Sequence, residues 1–311
     1  MLSLKDKKIL VTGGHGFLGK HVIKNLIEKR GVPVGNIYAP DHTECDLTDP
    51  VQARKAVAGK DVVIHLAGLS VSMASNISPS VVLYSNTMMG LNVLEAARVA
   101  GVQKFISIGS ANEYPRDAPM PLKESSLWDG VPEAGLRAYS VSKKVMDLAV
   151  QLYPKDYGFN AVHLIMTSMY GPGFHLNISH LMPLLIRQIE SAKAKNEPHI
   201  TGWGTGKATR DFLYVEDAAE GIVKATESYE GDGPVNIATG VETPVGDVMR
   251  MLCELLDFKG EIKWDPTKPE GQLRYVLDVS RAEKEFGFRA TTPIADGLAK
   301  TVKYYRDELH L

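Results

Sequence analysis

Ile9-Leu-Val-Thr-Gly-Gly-His-Gly-Phe-Leu-Gly19 decides the fold. Ile9 to Val11 reads as a short buried strand. His21 to Arg30 carries Val22, Ile23, Leu26 and Ile27 at helical spacing, and Gly31 ends that run. The glycines therefore fall at a strand-to-helix turn. Gly13, Gly16 and Gly19 stand at Gly-x-x-Gly-x-x-Gly spacing. Missing side chains let backbone approach a pyrophosphate and let helix pack on strand, while the open N–H groups and positive dipole end of the helix face the phosphates. His15, Phe17 and Leu18 complete this candidate cofactor turn.

Working outward, Val34 to Ala39 reads as a second strand with Asp41 just beyond it. An acid there favours NAD through the ribose hydroxyls, and no arginine follows it to accept the extra phosphate of NADP. The alternative for Asp41 is a solvated turn. Thr48 or Asp49 caps a helix with Pro50 in its first turn. Asp61-Val-Val-Ile-His-Leu-Ala-Gly68 is another buried strand ending in a glycine turn, and its His65 reads as a core histidine. A helix from about Val81 to Ala100 carries Asn86, and Lys104 to Ser110 forms the next strand. This alternation predicts an α/β, Rossmann-type doubly wound parallel sheet. Pro115 to Leu136 reads as a long surface loop.

Beyond Met166 the pattern loosens. Met182 to Ile189 is helical, Trp203 to Lys207 is a turn, and Tyr214 to Lys224 leads through a helix back to the first unit. Val235 to Gly240 is a strand and glycine turn, and a last helix runs from about Pro293 to Glu308. The division expected is a cofactor-binding unit over residues 1–165, with a returning segment at about 214–240, and a smaller C-terminal α/β substrate unit over residues 166–311.

Tyr139-Ser-Val-Ser-Lys143 opens a helical segment, so the phenol and the ammonium share a face. A phenol titrates near 10, and a fixed neighbouring cation favours its phenolate. Such a tyrosine exchanges a proton with a carbinol while hydride moves to or from a nicotinamide. Ser110, at a strand end, is placed to donate a second hydrogen bond to the same oxygen.

The 311 residues suffice for one large domain or two unequal ones. With 35 basic and 37 acidic residues and no long run of either sign, the chain offers neither a nucleic-acid surface nor a polybasic membrane patch. Cys45 and Cys253 form no metal-ligand spacing and read as ordinary buried thiols. No signal peptide and no run of about 18 apolar residues is present, so the expectation is a cytoplasmic protein. A diphosphate needs arginine geometry, for which Arg187, Arg210 and Arg274 are candidates.

In this ordered set the chain resembles the extended short-chain dehydrogenase/reductase family, whose members act on nucleotide sugars. The likeness rests on the three glycines, Asp46-Leu47, His65-Leu-Ala-Gly68, Ser110, Tyr139-x-x-x-Lys143 and Tyr170-Gly-Pro172, and it covers nearly the whole chain. It implies Ser110, Tyr139 and Lys143 as the catalytic set, with Lys143 also on the nicotinamide ribose. It further implies that Asp46, Leu47, Leu66, Ala67, Gly68 and Asn86 help to hold the cofactor.

Within that family the similarity is to the GDP-fucose synthase group, epimerase/reductases of a GDP-4-keto-6-deoxy sugar. Asp41 to Thr48, Gly109-Ser110-x-x-x-Tyr114-Pro115 and Ile178-Ser-His180-x-x-Pro183 carry it. So do Gly202-Trp-Gly-Thr-Gly206 with Arg210-Asp-Phe212, and Lys268 to Gly271 before Leu277 to Arg281. The likeness implies His180 as an acid–base residue for epimerisation. Asn112, Asn177, Arg187, Trp203, Arg210 and Arg274 would face the nucleotide diphosphate and sugar, although Trp203 read without the likeness is a core residue. NADP is the implied cofactor, against NAD from Asp41, and a homodimer on the helices near residues 81–100 and 137–153 is the implied assembly.

Two positions depart from the group's pattern. Asn112 stands where a cysteine is expected, and Ser168 where an asparagine is. An amide cannot abstract or return a carbon-bound proton, which leaves epimerisation at C3 and C5 open and carbonyl reduction at C4 intact. Ala111-Asn112 also lacks the Asp-Glu pair of the dehydratase relatives. The leading reading is hydride transfer at C4 of a 4-keto sugar nucleotide. Its rivals are a redox-neutral 4-epimerase that retains NAD and a non-catalytic cofactor-binding regulator.

Overall fold

The computed structural model describes residues 1–69, 77–174, 180–268 and 270–309. Its first half runs β1 (Ile9–Thr12), α1 (Phe17–Glu28), β2 (Ile37–Tyr38), α2 (Pro50–Val57), β3 (Val62–His65), α3 (Pro79–Val99), β4 (Lys104–Ser110), α4 (Arg137–Tyr157) and β5 (Ala161–Met166). Next come β6 (Ser168–Tyr170), α5 (Leu181–Ala194), β7 (His199–Trp203), β8 (Thr209–Arg210), β9 (Phe212–Tyr214), α6 (Val215–Ser228) and β10 (Val235–Ile237). The chain ends with β11 (Thr243–Pro244), α7 (Val245–Leu255), β12 (Glu261–Asp265), α8 (Ser280–Phe286) and α9 (Ile294–Leu309).

Six strands form one sheet in the order β10-β5-β4-β3-β1-β2, and every neighbouring pair is parallel. The near-continuous apolar runs of β1, β3 and β5 suit this, because helices cover both faces of the sheet and bury each residue of those strands. On one face Val22 and Leu26 of α1 pack with Ile222 and Val223 of α6. On the other lie Ala53 and Val57 of α2, Val93 and Leu94 of α3, and Met146 and Val150 of α4. Apart from Ala53, each of these side chains contributes on the order of 1.5–3 kcal/mol by leaving water. The order of strands reverses direction beside β1, which puts the carboxyl ends of β1, β3 and β4 around one crevice.

Helix α6 packs against α1 and is locked there by charge. Arg30 grips Glu220 with both terminal nitrogens at 2.7 and 2.8 Å and reaches Glu227 at 3.1 Å. That fork holds the Glu220 carboxyl down to about 2. A further core gathers Ile186 and Ile189 of α5, Leu252 of α7 and Leu298 of α9.

Three expectations need correction. The second strand is only Ile37–Tyr38, since Val34–Asn36 coil into a 3-10 turn that Pro33 initiates. Helix α1 starts at Phe17, earlier than its apolar spacing indicates, because the glycine turn runs directly into it. The stretch Pro115 to Leu136 is not surface throughout. Leu122 and Leu127 are buried, and the Leu122 N–H donates to the Val276 carbonyl at 2.8 Å. That distant partner is invisible to a reading of the loop alone.

Candidate active site

The glycine turn is built by exclusion. Gly13 has φ +68°, and a Cβ there would stand 2.8 Å from the Ala67 nitrogen. A Cβ on Gly19 would meet the Gly13 carbonyl oxygen at 2.2 Å, so the first turn of α1 packs directly on the loop. Gly16 caps α1 without a side-chain hydrogen bond, and no acid occupies that first turn. The leading N–H groups thus stay open for an anion. The turn opens onto a cleft of about 560 Å³ lined by Gly13, His15, Gly16, Phe17, Leu18, Gly19, Leu66, Gly68, Ser110, Asn112, Tyr139, Lys143 and His180. An open helix end beside a side-chain-free cradle is what a dinucleotide diphosphate requires, so the residues fit that group.

Around this cradle the second rank is fixed by hydrogen bonds. Asn86 of α3 accepts from the Leu69 N–H at 2.7 Å and donates to the Leu69 carbonyl at 3.1 Å, fixing the loop after β3. The Ala67 N–H donates to Thr12 Oγ1 at 3.2 Å. His65 is a core residue as expected: its Nδ1 lies 2.8 Å from Thr12 Oγ1, and burial holds its pKa down to about 3. Cys45 and Cys253 are buried free thiols.

Three other candidates are engaged away from the cleft, two of them in closing their own turns. Asp41 Oδ1 accepts from the Thr43 N–H, the Thr43 hydroxyl and the Glu44 N–H at 2.7, 2.7 and 3.1 Å. Asp46 Oδ1 likewise takes the Thr48 N–H and hydroxyl at 2.9 and 2.7 Å. Leu47 is buried against α2. Short acidic side chains satisfy nearby backbone first, and none of these three lines the cleft.

The reactive groups converge at the carboxyl edge of β4. Ser110 ends that strand and caps the 3-10 turn Ala111–Glu113. Tyr139 and Lys143, one turn apart on α4, face it across the cleft. A hydrogen bond from Ser110 to the Tyr139 oxygen favours the phenolate. Burial outweighs it and, with the charge of Glu113, pushes the phenol up to about 12. The expectation that Lys143 lowers the phenol is therefore not met in this state. Its ammonium donates to the Ile108 carbonyl at 2.9 Å, and burial lowers its own pKa. His180 stands at the head of α5 with its ring 4.8 Å from that of Phe174, and burial lowers its pKa as well, favouring the neutral imidazole.

None of the three candidate nucleotide-binding arginines is among the residues that line this cleft. Arg210 is tied to the carbonyls of Thr209 and Gln272, each at 2.7 Å. Arg274 is ion-paired with Glu242, and Arg187 lies on the exposed side of α5. Trp203 is 63% exposed, which overturns its reading as core: it ends β7, where alternation turns it outward. Asn177 lies outside the described residues. Sequence reasoning missed Tyr275 and Phe174 in the lining and Glu113 behind it. Only Glu113 had a local signal, the Ser-x-x-Glu spacing of a capping box from Ser110.

Comparison with known proteins agrees with this geometry. The profile of the NAD dependent epimerase/dehydratase family matches residues 9–238. A probable GDP-L-fucose synthase 1 from Oryza sativa subsp. japonica is 32% identical over 310 residues, covering 98% of this chain and 93% of that protein. Among solved structures, a GDP-L-fucose synthetase from Naegleria fowleri aligns with a TM-score of 0.89 at 24% identity, covering 100% of this chain and 96% of that one. A GDP-mannoheptose C4 reductase from Campylobacter jejuni with NADP bound aligns at 0.87 with 24% identity, covering 98% and 99%. These two structures bear on the fold alone. With its glycine cradle, its Ser110, Tyr139 and Lys143 in one cleft and a family match across most of its length, the chain belongs to the NAD dependent epimerase/dehydratase family.

Proposed function

We propose that the protein reduces the C4 carbonyl of a GDP-4-keto-6-deoxy sugar and that Asn112 leaves it without the two-base epimerisation of the GDP-fucose synthases. The convergence of Ser110, Tyr139 and Lys143 beside the open end of α1 carries the reductive reading. When bound in the cleft, a reduced nicotinamide, NADH or NADPH, would supply hydride. Tyr139, a neutral phenol at pH 7, gives the proton to the C4 oxygen, Ser110 donates a hydrogen bond to the same oxygen, and Lys143 orients the ribose and holds positive charge nearby.

Inverting C3 and C5 requires one group to take a proton from carbon and another to return it on the opposite face. Among the described lining residues, His180 is a suitable base, but Asn112 offers an amide. His15 is turned to the Ala39 carbonyl at 2.8 Å. Asp41 closes its own turn through Oδ1 alone, so its Oδ2 can still accept from a ribose hydroxyl, and NADH and NADPH both stay within the reading.

In the same reading, residues 1–165 with about 214–240 hold the cofactor and residues 166–311 hold the sugar nucleotide. A homodimer is supported by the outer face of α3 and α4, where Leu83, Tyr84, Leu148 and Leu152 are exposed. The test of the reading is stoichiometry: one reduced cofactor oxidised per keto sugar. Oxidised cofactor released only on denaturation, with no net oxidation during turnover, contradicts it and identifies a 4-epimerase.

A further inference from the structure

Behind Ser110 lies a charged group that the reaction so far does not use. Glu113 is fully buried. Its Oε1 accepts the Ser110 N–H at 2.6 Å, and its Oε2 lies 3.1 Å from Nε2 of His163, a fully buried residue of β5. A carboxylate only accepts, so Nε2 carries the hydrogen. The other ring nitrogen of His163 lies 2.8 Å from the Ser107 hydroxyl.

The backbone makes room for this pair. A Cβ on Gly109 would stand 2.3 Å from both Glu113 Oε1 and His163 Nε2. Capping one 3-10 turn does not require a sealed carboxylate with its own histidine, because burying such a group costs more than the cap returns. A fixed charge behind the reacting serine accounts for the arrangement. Lys143 and Lys144 of α4, Tyr114 of the same turn and Tyr275 face this charge, and His65 of β3 faces Lys143. Burial raises the pKa of Tyr139 and the charge of Glu113 adds to it, whereas burial lowers that of Lys143 and the same charge opposes it.

We propose that Glu113, backed by His163, is a positioning residue of the reduction: its buried carboxylate fixes the Ser110 backbone and sets a fixed negative charge behind the cluster of Ser110, Tyr139 and Lys143. This rests on the reductive reading above.

Glu113→Gln isolates the charge. The amide oxygen accepts the Ser110 N–H, and the amide nitrogen donates to the other tautomer of His163, so the hydrogen bonds survive. The alkaline limb of kcat for reduction is expected to move to lower pH by about one unit, with KM for the sugar within twofold of wild type. In the cofactor-free protein, the phenolate absorbance that Tyr139→Phe removes is expected to appear at correspondingly lower pH. A uniform fall in kcat with the limb unmoved overturns the proposal.

Should that variant not fold, Glu113→Asp carries the test. It keeps the charge but falls short of the Ser110 N–H, so kcat drops while the limb stays. A limb that moves down with kcat overturns the proposal. A wild-type protein that oxidises no cofactor with the keto sugar defeats the reductive reading instead, and the absorbance titration still reads the Glu113 effect.

Discussion

The Lys143 ammonium stands 6.0 Å from the centre of the Tyr139 ring and is held there by the Ile108 carbonyl, two residues before Ser110 on the same strand. One strand end therefore places both the hydroxyl that touches the phenol and the cation beside it. With the phenol pushed up to about 12, Tyr139 carries its proton at neutral pH. That state suits reduction, in which the tyrosine gives a proton, and opposes carbinol oxidation, which needs the phenolate.

Tyr139→Phe is expected to lower kcat for reduction by about 10²–10⁴-fold, the usual contribution of a positioned proton donor. The affinity for reduced cofactor, read by fluorescence quenching, is expected to stay within a few fold. Lys143→Met, in contrast, is expected to weaken both.

Gly19→Ala inserts a methyl group 2.2 Å from the Gly13 oxygen, and the neighbour is backbone that cannot swing away. A stability loss on the order of 1–3 kcal/mol is expected from such overpacking. Cofactor binding is expected to disappear, since α1 must shift from the phosphate turn. Calorimetric titration with NADH and NADPH checks this.

Arg30→Ala leaves Glu220 and Glu227 facing each other, partly buried, with only the exposed Lys29, 3.3 Å from Glu220, in its place. About 3 kcal/mol of stability is expected to be lost. Denaturant unfolding measures it, and Arg30→Lys is expected to recover little because a lysine cannot fork onto Glu220.

His65 gives the fold an acid-sensitive point. Its pKa is about 3 folded against 6.5 for the ordinary side chain, so between these values the unfolded chain binds the proton first. Stability due to this group is intact above 6.5 and lost as pH falls toward 3, by about 2 kcal/mol at pH 5. Urea midpoints at pH 7 and 5 are expected to converge in His65→Gln relative to wild type.

Much of this was legible locally. The turn from Gly13 to Gly19, strand Lys104 to Ser110 and the Tyr139–Lys143 spacing follow from patterns within one or two turns of chain. What escaped depends on distant partners. Leu122 is buried only because Val276 and Leu277 come to meet it. Arg274 reads equally as a diphosphate ligand or as a surface ion pair, and its partner Glu242 lies 32 positions away. Trp203 reads as core from its type alone, yet its place on β7 turns it outward. The pairing of Glu113 with His163 joins residues 50 positions apart and left no trace beyond a capping spacing.

The most direct test of the central claim is turnover of a GDP-4-keto-6-deoxy sugar with reduced cofactor in D2O, with the product examined by NMR against an enzyme-free control. The account predicts one cofactor oxidised per sugar, a new hydroxyl at C4, and C3 and C5 still bearing protium in their original configuration. Deuterium at C3 and C5 with inverted centres would contradict it, since a second proton carrier would then be acting where Asn112 stands.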